Sequence, residues 1–307
     1  MIKQMSQNVL ITGGTGFIGK YLTDVLITNG FSVSILTRAE RKNTDFITYY
    51  KWDLTKDYID ENAILNADFI IHLAGEGIVE KRWTEKRKKA ILESRTKPID
   101  LIHSILEKHN KSINAFVSAS AVGIYGGYTS EKICTEETPP ANDFLGLTCQ
   151  LWESSTDKIG ALGIRTVKIR TGIVLGKGEG FLKKVAPSFK AGFGTILGSG
   201  KQYIPWIHIE DLSQVYLKSI MDIHMHGPYN AAVTDNTTNS QLSKILANLY
   251  GYNIWLPKAP AFILKIVLGE MSKAVLEGQR VSSEKIEKTG FEFQFNDIKM
   301  ALSNCVK

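Results

Sequence analysis

Short apolar runs alternate with amphipathic segments along most of this chain. The first run, residues 9–11, is followed by apolar residues at helical spacing from Phe17 to Leu26. Strands that are apolar throughout are typical of a buried parallel sheet. The alternation predicts an α/β fold with a doubly wound parallel sheet, which binds ligands at the carboxyl ends of its strands. Later strands are predicted at 33–37, 48–52, 68–75, 115–120 and 166–170, and later helices at 96–109 and 144–159.

A glycine-rich turn joins the first strand to the first helix. Glycines at three-residue spacing permit a tight turn, let a diphosphate approach the backbone and let the helix pack closely on the strand. The first N–H groups of the helix and the positive end of its dipole then face the phosphates. We therefore predict a dinucleotide site made by Gly13, Thr15, Gly16, Phe17, Ile18 and Gly19.

The residues after the second strand indicate which dinucleotide is bound. A site for NAD places a carboxylate here, on the ribose 2′-hydroxyl. This chain has Thr37 and Arg38 instead, with Arg41 and Lys42 close behind. A guanidinium suits the 2′-phosphate of NADP. We predict NADP(H) as the cofactor, in contact with Thr37 and Arg38; the alternative is that Arg38 is only solvated.

Composition and charge exclude several classes of protein. A chain of 307 residues with 43% hydrophobic content predicts a globular protein with a large core. Three widely spaced cysteines indicate a reducing compartment, with no disulfide framework and no metal site. The net charge of +6 comes from dispersed basic residues and no nucleic-acid-reading motif is present, so a nucleic-acid partner is not expected.

The hydropathy of the chain also bears on its location. No apolar run is long enough to span a membrane, and residues 1–8 are too short and polar for a signal peptide. The longest apolar candidate, residues 259–268, contains Lys265 and is predicted to be a buried helix. We therefore expect a cytoplasmic protein without a membrane partner.

The regular alternation loosens after Gly176. Four glycines between Gly192 and Gly200 precede a basic and aromatic segment at 201–206, which predicts a loop-rich lobe facing the cofactor cleft. No internal repeat or low-complexity linker separates this lobe from the first half. The two parts are therefore expected to form one compact unit.

Motifs spread over nearly the whole chain resemble those of one family. This family is the extended short-chain dehydrogenase/reductase superfamily and, within it, the atypical YfcH-like branch of sugar-nucleotide epimerase-like "epimerase family proteins". The motifs are TGGTGFIG (12–19), LAGE (73–76), KRWT (81–84), SR (94–95), SASAVGIYG (118–126), RTGIVLG (170–176), GSGKQY (198–203), WIHIEDL (206–212) and LEGQR (276–280).

The resemblance implies a domain organisation and further cofactor contacts. It implies a Rossmann-type NADP-binding domain at 1–176, completed by segments from 206–233, a mixed substrate lobe at 177–254 and a small C-terminal helical domain at 255–307. Extended members are often homodimers, which makes a homodimer possible here. The resemblance further implies that the end of the fourth predicted strand, Leu73, Ala74 and Gly75, lies along the cofactor. It places Asp53 and Leu54 near the adenine and Arg95 near a cofactor phosphate.

The usual catalytic pair of the superfamily is missing. A Tyr and a Lys four residues later on a helix normally move the substrate proton. Here the corresponding helix has Phe144 and Leu145 in place of the Tyr, and Thr148 and Cys149 in place of the Lys. The remaining candidates for catalysis are Ser118, Ser120 and Tyr125.

Two interpretations of the chain stay open. In the first, it is an NADP-dependent oxidoreductase or epimerase for a small polar or nucleotide-linked substrate, contacted by Glu76, Lys81 and Arg82. In the second, it is a catalytically silent protein that senses NADP(H) and acts through a partner. The alternative for the catalytic candidates is that Ser118 and Ser120 only hydrogen-bond the backbone or the nicotinamide amide, and that Tyr125 packs.

Overall fold

Eight strands form one sheet in the computed structural model, which describes residues 7–306. All neighbouring strands are parallel except the last pair, which is antiparallel. In spatial order the strands are β11 (Gly227–Ala231), β8 (Thr166–Thr171), β6 (Ala115–Ala121), β5 (Phe69–His72), β1 (Asn8–Thr12), β2 (Ser32–Thr37), β3 (Ile47–Asp53) and β4 (Tyr58–Ile59).

Helices and short strands complete the described chain. Two parallel strand pairs lie outside the central sheet: β7 (Ile133–Cys134) with β12 (Arg280–Val281), and β9 (Ile173–Leu175) with β10 (Trp206–His208). Two 3₁₀ turns span Val122–Tyr125 and Gly269–Ser272. The helices are α1 (Phe17–Thr28), α2 (Glu61–Leu65), α3 (Glu85–Lys108), α4 (Phe144–Ala161), α5 (Gly180–Lys190), α6 (Ile209–Met221), α7 (Asn239–Leu249), α8 (Ala261–Leu268), α9 (Lys273–Leu276), α10 (Glu284–Glu287) and α11 (Ile298–Val306).

The predicted doubly wound sheet is confirmed. The chain builds outward from β1 through β2 and β3 on one side, and then from β5 through β6 and β8 on the other. Alternate residues of a strand point to opposite faces. Ile11 therefore packs beneath α1 and α6 while Leu10 packs beneath α2 and α3, and both are fully buried. Ligands of such sheets bind where the strand order reverses, which here lies between β1 and β5.

Helix α3 begins earlier than the sequence predicted. The prediction placed its start at residue 96, but the helix starts at Glu85, because the Thr84 hydroxyl accepts a hydrogen bond from the Arg87 N–H (3.2 Å). The basic cluster from Lys86 to Lys89 lies on its first turns, and Pro98 lies inside the helix. This earlier start brings the beginning of α3 next to the loop that follows β5.

The second half of the chain adds a strand to the central sheet and packs a helix, α6, against it. Within 206–233, β11 adds an edge strand beside β8, whereas β10 pairs with β9 away from that sheet. On α6, Asp211 is 2% exposed and accepts hydrogen bonds from the N–H groups of Gln294 (2.8 Å) and Phe295 (3.0 Å). Helix α11 contributes to the same apolar core as α5 and α7.

Helix α8 lies where a buried helix was predicted, but the prediction of burial is wrong. No residue of α8 is buried, and Ile266 is 70% exposed. Its apolar composition is the same as that of a core helix, so the sequence alone does not distinguish the two. No helix within residues 7–306 is long and apolar enough to cross a membrane. The expectation about a signal peptide rests on residues 1–8, of which 1–6 lie outside the described residues.

Candidate cofactor and substrate site

The glycine turn brings three main chains into close contact. Gly13 has φ +74°, and its carbonyl accepts the N–H of Gly16 (3.0 Å). A Cβ on Gly13 would lie 2.9 Å from the Ala74 nitrogen, after β5. A Cβ on Gly19 would lie 2.5 Å from the Gly13 oxygen. The glycines therefore let the end of β1, the start of α1 and the end of β5 meet.

A buried hydrogen-bond network holds the ends of β1 and β5 together. The Thr12 hydroxyl lies 2.7 Å from His72 Nδ1 and also accepts the Ala74 N–H (3.2 Å). His72 Nε2 lies 3.2 Å from the Arg95 carbonyl of α3. The ring is fully buried, and this burial lowers the pKa of His72 to about 3. His72 is therefore neutral, with Nε2 donating and Nδ1 accepting.

Arg95 packs against the backbone of the segment that follows β5. Its guanidinium donates to the carbonyls of Ile91 (2.8 Å) and Glu76 (2.9 Å) and lies 5.1 Å from the centre of the Trp152 ring. The side chain is 6% exposed, and burial lowers the pKa of Arg95 to about 10. It also packs under Gly75, where a Cβ would lie 3.2 Å from Arg95 Cζ. A direct contact with a cofactor phosphate stays a prediction.

The ends of β2 and β3 form the adenosine side of the candidate site. Arg38 is exposed directly after β2, while Thr37 is 8% exposed and bonded to Ala39. Asp53 accepts hydrogen bonds from the N–H (3.0 Å) and the hydroxyl (2.6 Å) of Thr55, which lower the pKa of Asp53. Leu54 packs against the core on the α2 side. A cavity of about 280 Å³ beside β2 is lined by Thr37, Ala39, Glu40, Arg41, Tyr49, Tyr50 and Lys51.

The loop after β5 carries the predicted substrate residues and is fixed at several points. Glu76 forms an ion pair with Arg87, and its N–H donates to Ser94 (3.0 Å). Arg82 is exposed and packs against Gly269, which has φ +61° and where a Cβ would lie 2.8 Å from Arg82 Nε. Lys81 is also exposed. The three predicted residues thus share one loop beside the glycine turn; their contact with substrate stays a prediction.

The start of α4 presents apolar groups where the superfamily has its catalytic pair. Phe144 meets the ring of Trp83 edge-on at 4.8 Å, and Leu145 joins the same apolar cluster. Met271, from the C-terminal region, completes this cluster. Cys149 is 3% exposed, and burial raises the pKa of its thiol to about 12, so it stays protonated at neutral pH. None of these side chains transfers a proton near neutral pH.

Behind them, a polar row crosses three strands at their carboxyl ends. Ser120, Arg170 and Asn230 are register partners on β6, β8 and β11. The Ser120 hydroxyl donates to Glu153 Oε1 (2.7 Å), from α4. Arg170 binds both oxygens of that carboxylate (2.8 and 2.9 Å). Because the only O–H of Ser120 donates to Glu153, the Ser120 oxygen can act toward any other group only as a hydrogen-bond acceptor.

Tyr125 belongs to the same row. Its hydroxyl donates to Asn230 Oδ1 (2.6 Å) and accepts from Arg170 Nη1 (3.1 Å). The side chain is 1% exposed, and burial raises the pKa of Tyr125 to about 12. Ser118 is also 1% exposed and donates to the Ala119 carbonyl (2.9 Å). Catalysis by these residues stays a prediction, and the burial of Tyr125 argues against its part in it.

Three residues that organise the site were missed by reasoning from the sequence. His72 carries a weak signal, because it is the polar end of an otherwise apolar strand. Glu153 and Arg170 carry none, since they lie on different elements and meet only when α4 packs on β8. No group of three or more side chains able to hold a metal ion occurs in residues 7–306.

Comparison with known proteins identifies the family. The model described as "NAD dependent epimerase/dehydratase family" matches residues 9–232, and the model described as "Domain of unknown function (DUF1731)" matches 259–305. The chain belongs to the NAD dependent epimerase/dehydratase family. The resemblance stated from the sequence motifs is thereby confirmed.

Relatives and solved structures support the same assignment over nearly the whole chain. "Epimerase family protein YfhF" of Bacillus subtilis is 37% identical over 304 residues, which cover 97% of this chain and 98% of that protein. "Epimerase family protein SDR39U1 homolog, chloroplastic" of Arabidopsis thaliana is 32% identical, with 98% and 87% covered. The crystal structure of human SDR39U1 with NADPH is 28% identical and superposes with a TM-score of 0.83, covering 97% of this chain and 99% of that one.

The residues at the reversal of strand order fit a nicotinamide dinucleotide. Gly16 and Gly75 are exposed on either side of the turn, so backbone rather than side chains faces the crevice. A Cβ on Gly16 would lie 3.2 Å from the Gly13 oxygen and fill part of this space. The first turn of α1 supplies N–H groups that have no partner within the helix. Together these features make a cradle for a diphosphate.

Substitution of Gly19 tests this cradle. We expect Gly19→Ala to weaken NADPH binding by at least about tenfold and to destabilise the fold by about 1–3 kcal/mol, because the added methyl forces α1 away from the turn. Gly160→Ala is the matched helical control, since a Cβ there makes only ordinary contacts at 3.4 Å. Titration calorimetry and thermal unfolding measure both effects. Equal behaviour of the two variants would contradict the proposed packing.

The buried His72 predicts a loss of stability in acid. The unfolded chain binds a proton with the ordinary pKa of 6.5, whereas the folded chain does so only near 3. Stability therefore falls as pH drops below 6.5, by up to about 1.4 kcal/mol per pH unit for this group. Urea unfolding at several pH values should show a shallower slope for His72→Asn than for the wild type. Asn248→Ala, at an exposed position of α7 without a titratable group, is the control and should leave the slope unchanged.

Proposed function

We propose that this chain binds NADP(H) and acts as an oxidoreductase or epimerase on a small polar or nucleotide-linked substrate. The observation that carries the proposal is the open glycine turn between β1 and β5, with backbone exposed at Gly16 and Gly75. Arg38, exposed at the end of β2, supports the phosphorylated form of the cofactor. The NADPH in the structure of human SDR39U1 supports the same choice.

Each part of the site has a role in this proposal. The bound nicotinamide would supply or accept a hydride. The N-terminal N–H groups of α1 hold the diphosphate, and Arg38 pairs with the 2′-phosphate. Glu76, Lys81 and Arg82 contact the substrate from the loop after β5. Ser120, whose hydroxyl donates its hydrogen bond to Glu153, accepts a hydrogen bond from a donor group in the cleft.

One observation favours a second candidate function. The start of α4 lacks the Tyr and Lys pair, and Tyr125 is buried with both of its hydrogen bonds made inside the chain. A site that binds the cofactor without a proton donor suits a protein that senses NADP(H). The two functions are separated by supplying NADPH that carries deuterium at its transferable position. Deuterium in any product from small carbonyl compounds supports a reductase, and inversion of a nucleotide sugar in the presence of NADP⁺ supports an epimerase. Tight binding with neither reaction supports the sensor.

The role of Arg38 is tested by its removal. We expect Arg38→Ala to raise the Kd for NADPH by at least about tenfold and to leave the Kd for NADH unchanged, because only NADPH carries the 2′-phosphate. Fluorescence titration of both cofactors measures this difference. Lys244→Ala, on the exposed side of α7, is the control for loss of one positive charge. An equal loss for NADPH and NADH would refute the phosphate contact.

Removing only the hydroxyl of Tyr125 tests whether that group has a structural or a catalytic role. We expect Tyr125→Phe to lower the free energy of unfolding by about 1–3 kcal/mol, because Asn230 and Arg170 lose a buried partner. The Kd for NADPH should not change. The exposed Tyr128→Phe is the control and should have little effect on stability. A fall in turnover of about 100-fold at unchanged stability would instead make Tyr125 a general acid.

A further inference from the structure

Helix α8 carries an apolar face that the described chain leaves uncovered. Phe262 is 65% exposed, Ile263 45%, Ile266 70% and Val267 62%. Soluble monomers rarely expose several large apolar side chains side by side, and such patches mark interaction sites. The helix is also held in place: Pro260 precedes it, Gly269 ends it, and Leu268 packs into the cluster around Trp83. The exposed face is therefore a fixed surface.

The exposed apolar side chains of α8 all lie on one side of the helix. At 3.6 residues per turn, the four exposed apolar side chains span an arc of about 140°. Lys265, also exposed, lies at one border of this arc, and the opposite side is formed by the half-buried Ala261, Leu264 and Leu268. A lysine at the border of an apolar face can extend its charge outward while its stem stays in apolar contact.

The stretch between Asp235 and Glu270, which contains α8, carries charge of one sign. From residue 236 to residue 269 the sequence contains no Asp or Glu, while it contains Lys244, Lys258 and Lys265. Within the same stretch Trp255 is 66% exposed and lies 6.2 Å from the ring of Phe193, which is 59% exposed. Tryptophan and lysine close in sequence to an apolar helix are typical of segments that lie at a membrane–water interface.

A second copy of this chain fits the face less well. A helix of eight residues is about 12 Å long, so a contact between two copies of α8 buries far less than the ~1,200 Å² of a stable interface. Such a contact would also bring the two Lys265 side chains toward each other. The headgroups of an anionic bilayer carry the charge opposite to that of Lys265, and the acyl chains beneath the headgroups can bury the apolar side chains.

We propose that α8 docks this protein on the surface of an anionic lipid bilayer. Phe262, Ile263, Ile266 and Val267 enter the boundary between headgroups and acyl chains, and Lys265 remains among the headgroup phosphates. The expectation of no membrane partner rested on the lack of a spanning segment, and an interfacial helix needs none. This inference is independent of cofactor binding and goes beyond the proposed function.

Vesicle flotation with the full chain tests the proposal. The vesicles contain either phosphatidylglycerol mixed with phosphatidylcholine, or phosphatidylcholine alone. We expect the wild type to float with the anionic vesicles, less at high salt, and to bind the neutral vesicles at least tenfold more weakly. Ile266→Asp should lose at least tenfold in binding to anionic vesicles. Ile223→Asp is the matched control, because Ile223 is 73% exposed after α6 and outside the face.

Each outcome decides for or against the proposal. An unchanged thermal unfolding midpoint of Ile266→Asp shows that the variant is folded, and Lys265→Glu provides a second variant with the same expected direction. Quenching of tryptophan fluorescence by brominated lipid, reduced in Trp255→Phe, would support shallow insertion. Absence of wild-type binding to anionic vesicles, or equal binding by Ile266→Asp and Ile223→Asp, would overturn the proposal. A wild-type dimer that Ile266→Asp dissociates, without vesicle binding, would assign the face to a second copy.

Discussion

The candidate cofactor site at the carboxyl ends of β1 and β5 depends on the close approach of three main-chain segments at Gly13. The end of β1, the first turn of α1 and the residue after β5 lie closer together than side chains would permit. This contact sets the direction of α1 relative to the sheet, and with it the place where the helix N-terminus meets a diphosphate. Thr12 and His72 hold the same strand ends from beneath, and Arg95 supports the backbone that follows.

A second constraint is the need to satisfy polar groups buried at the strand ends. Ser120, Arg170 and Asn230 stand in register on neighbouring strands, where a low dielectric makes unpaired groups costly. Glu153 neutralises Arg170 and accepts the hydrogen bond of the Ser120 hydroxyl. Side chains that would be candidates for proton transfer are thus used to hold β6, β8 and β11 to α4.

The C-terminal region closes the molecule on two sides. Asp211 fixes the segment before α11 to the start of α6 through two main-chain hydrogen bonds. Met271 and Leu268 pack onto the apolar cluster at the start of α4. The same region then leaves α8 with its apolar face toward the outside. The C-terminal region therefore packs on the start of α4 while it leaves the apolar face of α8 exposed.

The sequence by itself determined the sheet, the dinucleotide turn and the family. These features rest on local signals: apolar runs of strand length, glycines at fixed spacing, and motifs that hold their order along the chain. Gly13 and Gly19 were recognisable because the turn they make involves neighbours in sequence. The start of α3 was misplaced because the first turns carry Lys86 and Lys89 rather than an apolar stripe, and only the hydroxyl of Thr84 marks their beginning.

The tertiary structure alone decided the state of each polar side chain and the exposure of α8. Whether Tyr125 faces a cleft or the interior depends on Asn230, which lies far away in sequence and arrives through β11. The partners of Ser120 and Arg170 are likewise set by how α4 packs on the sheet. An apolar helix such as α8 has the same sequence pattern whether it is covered or not. Its burial depends on the elements around it, because exposure is a property of packing and not of composition.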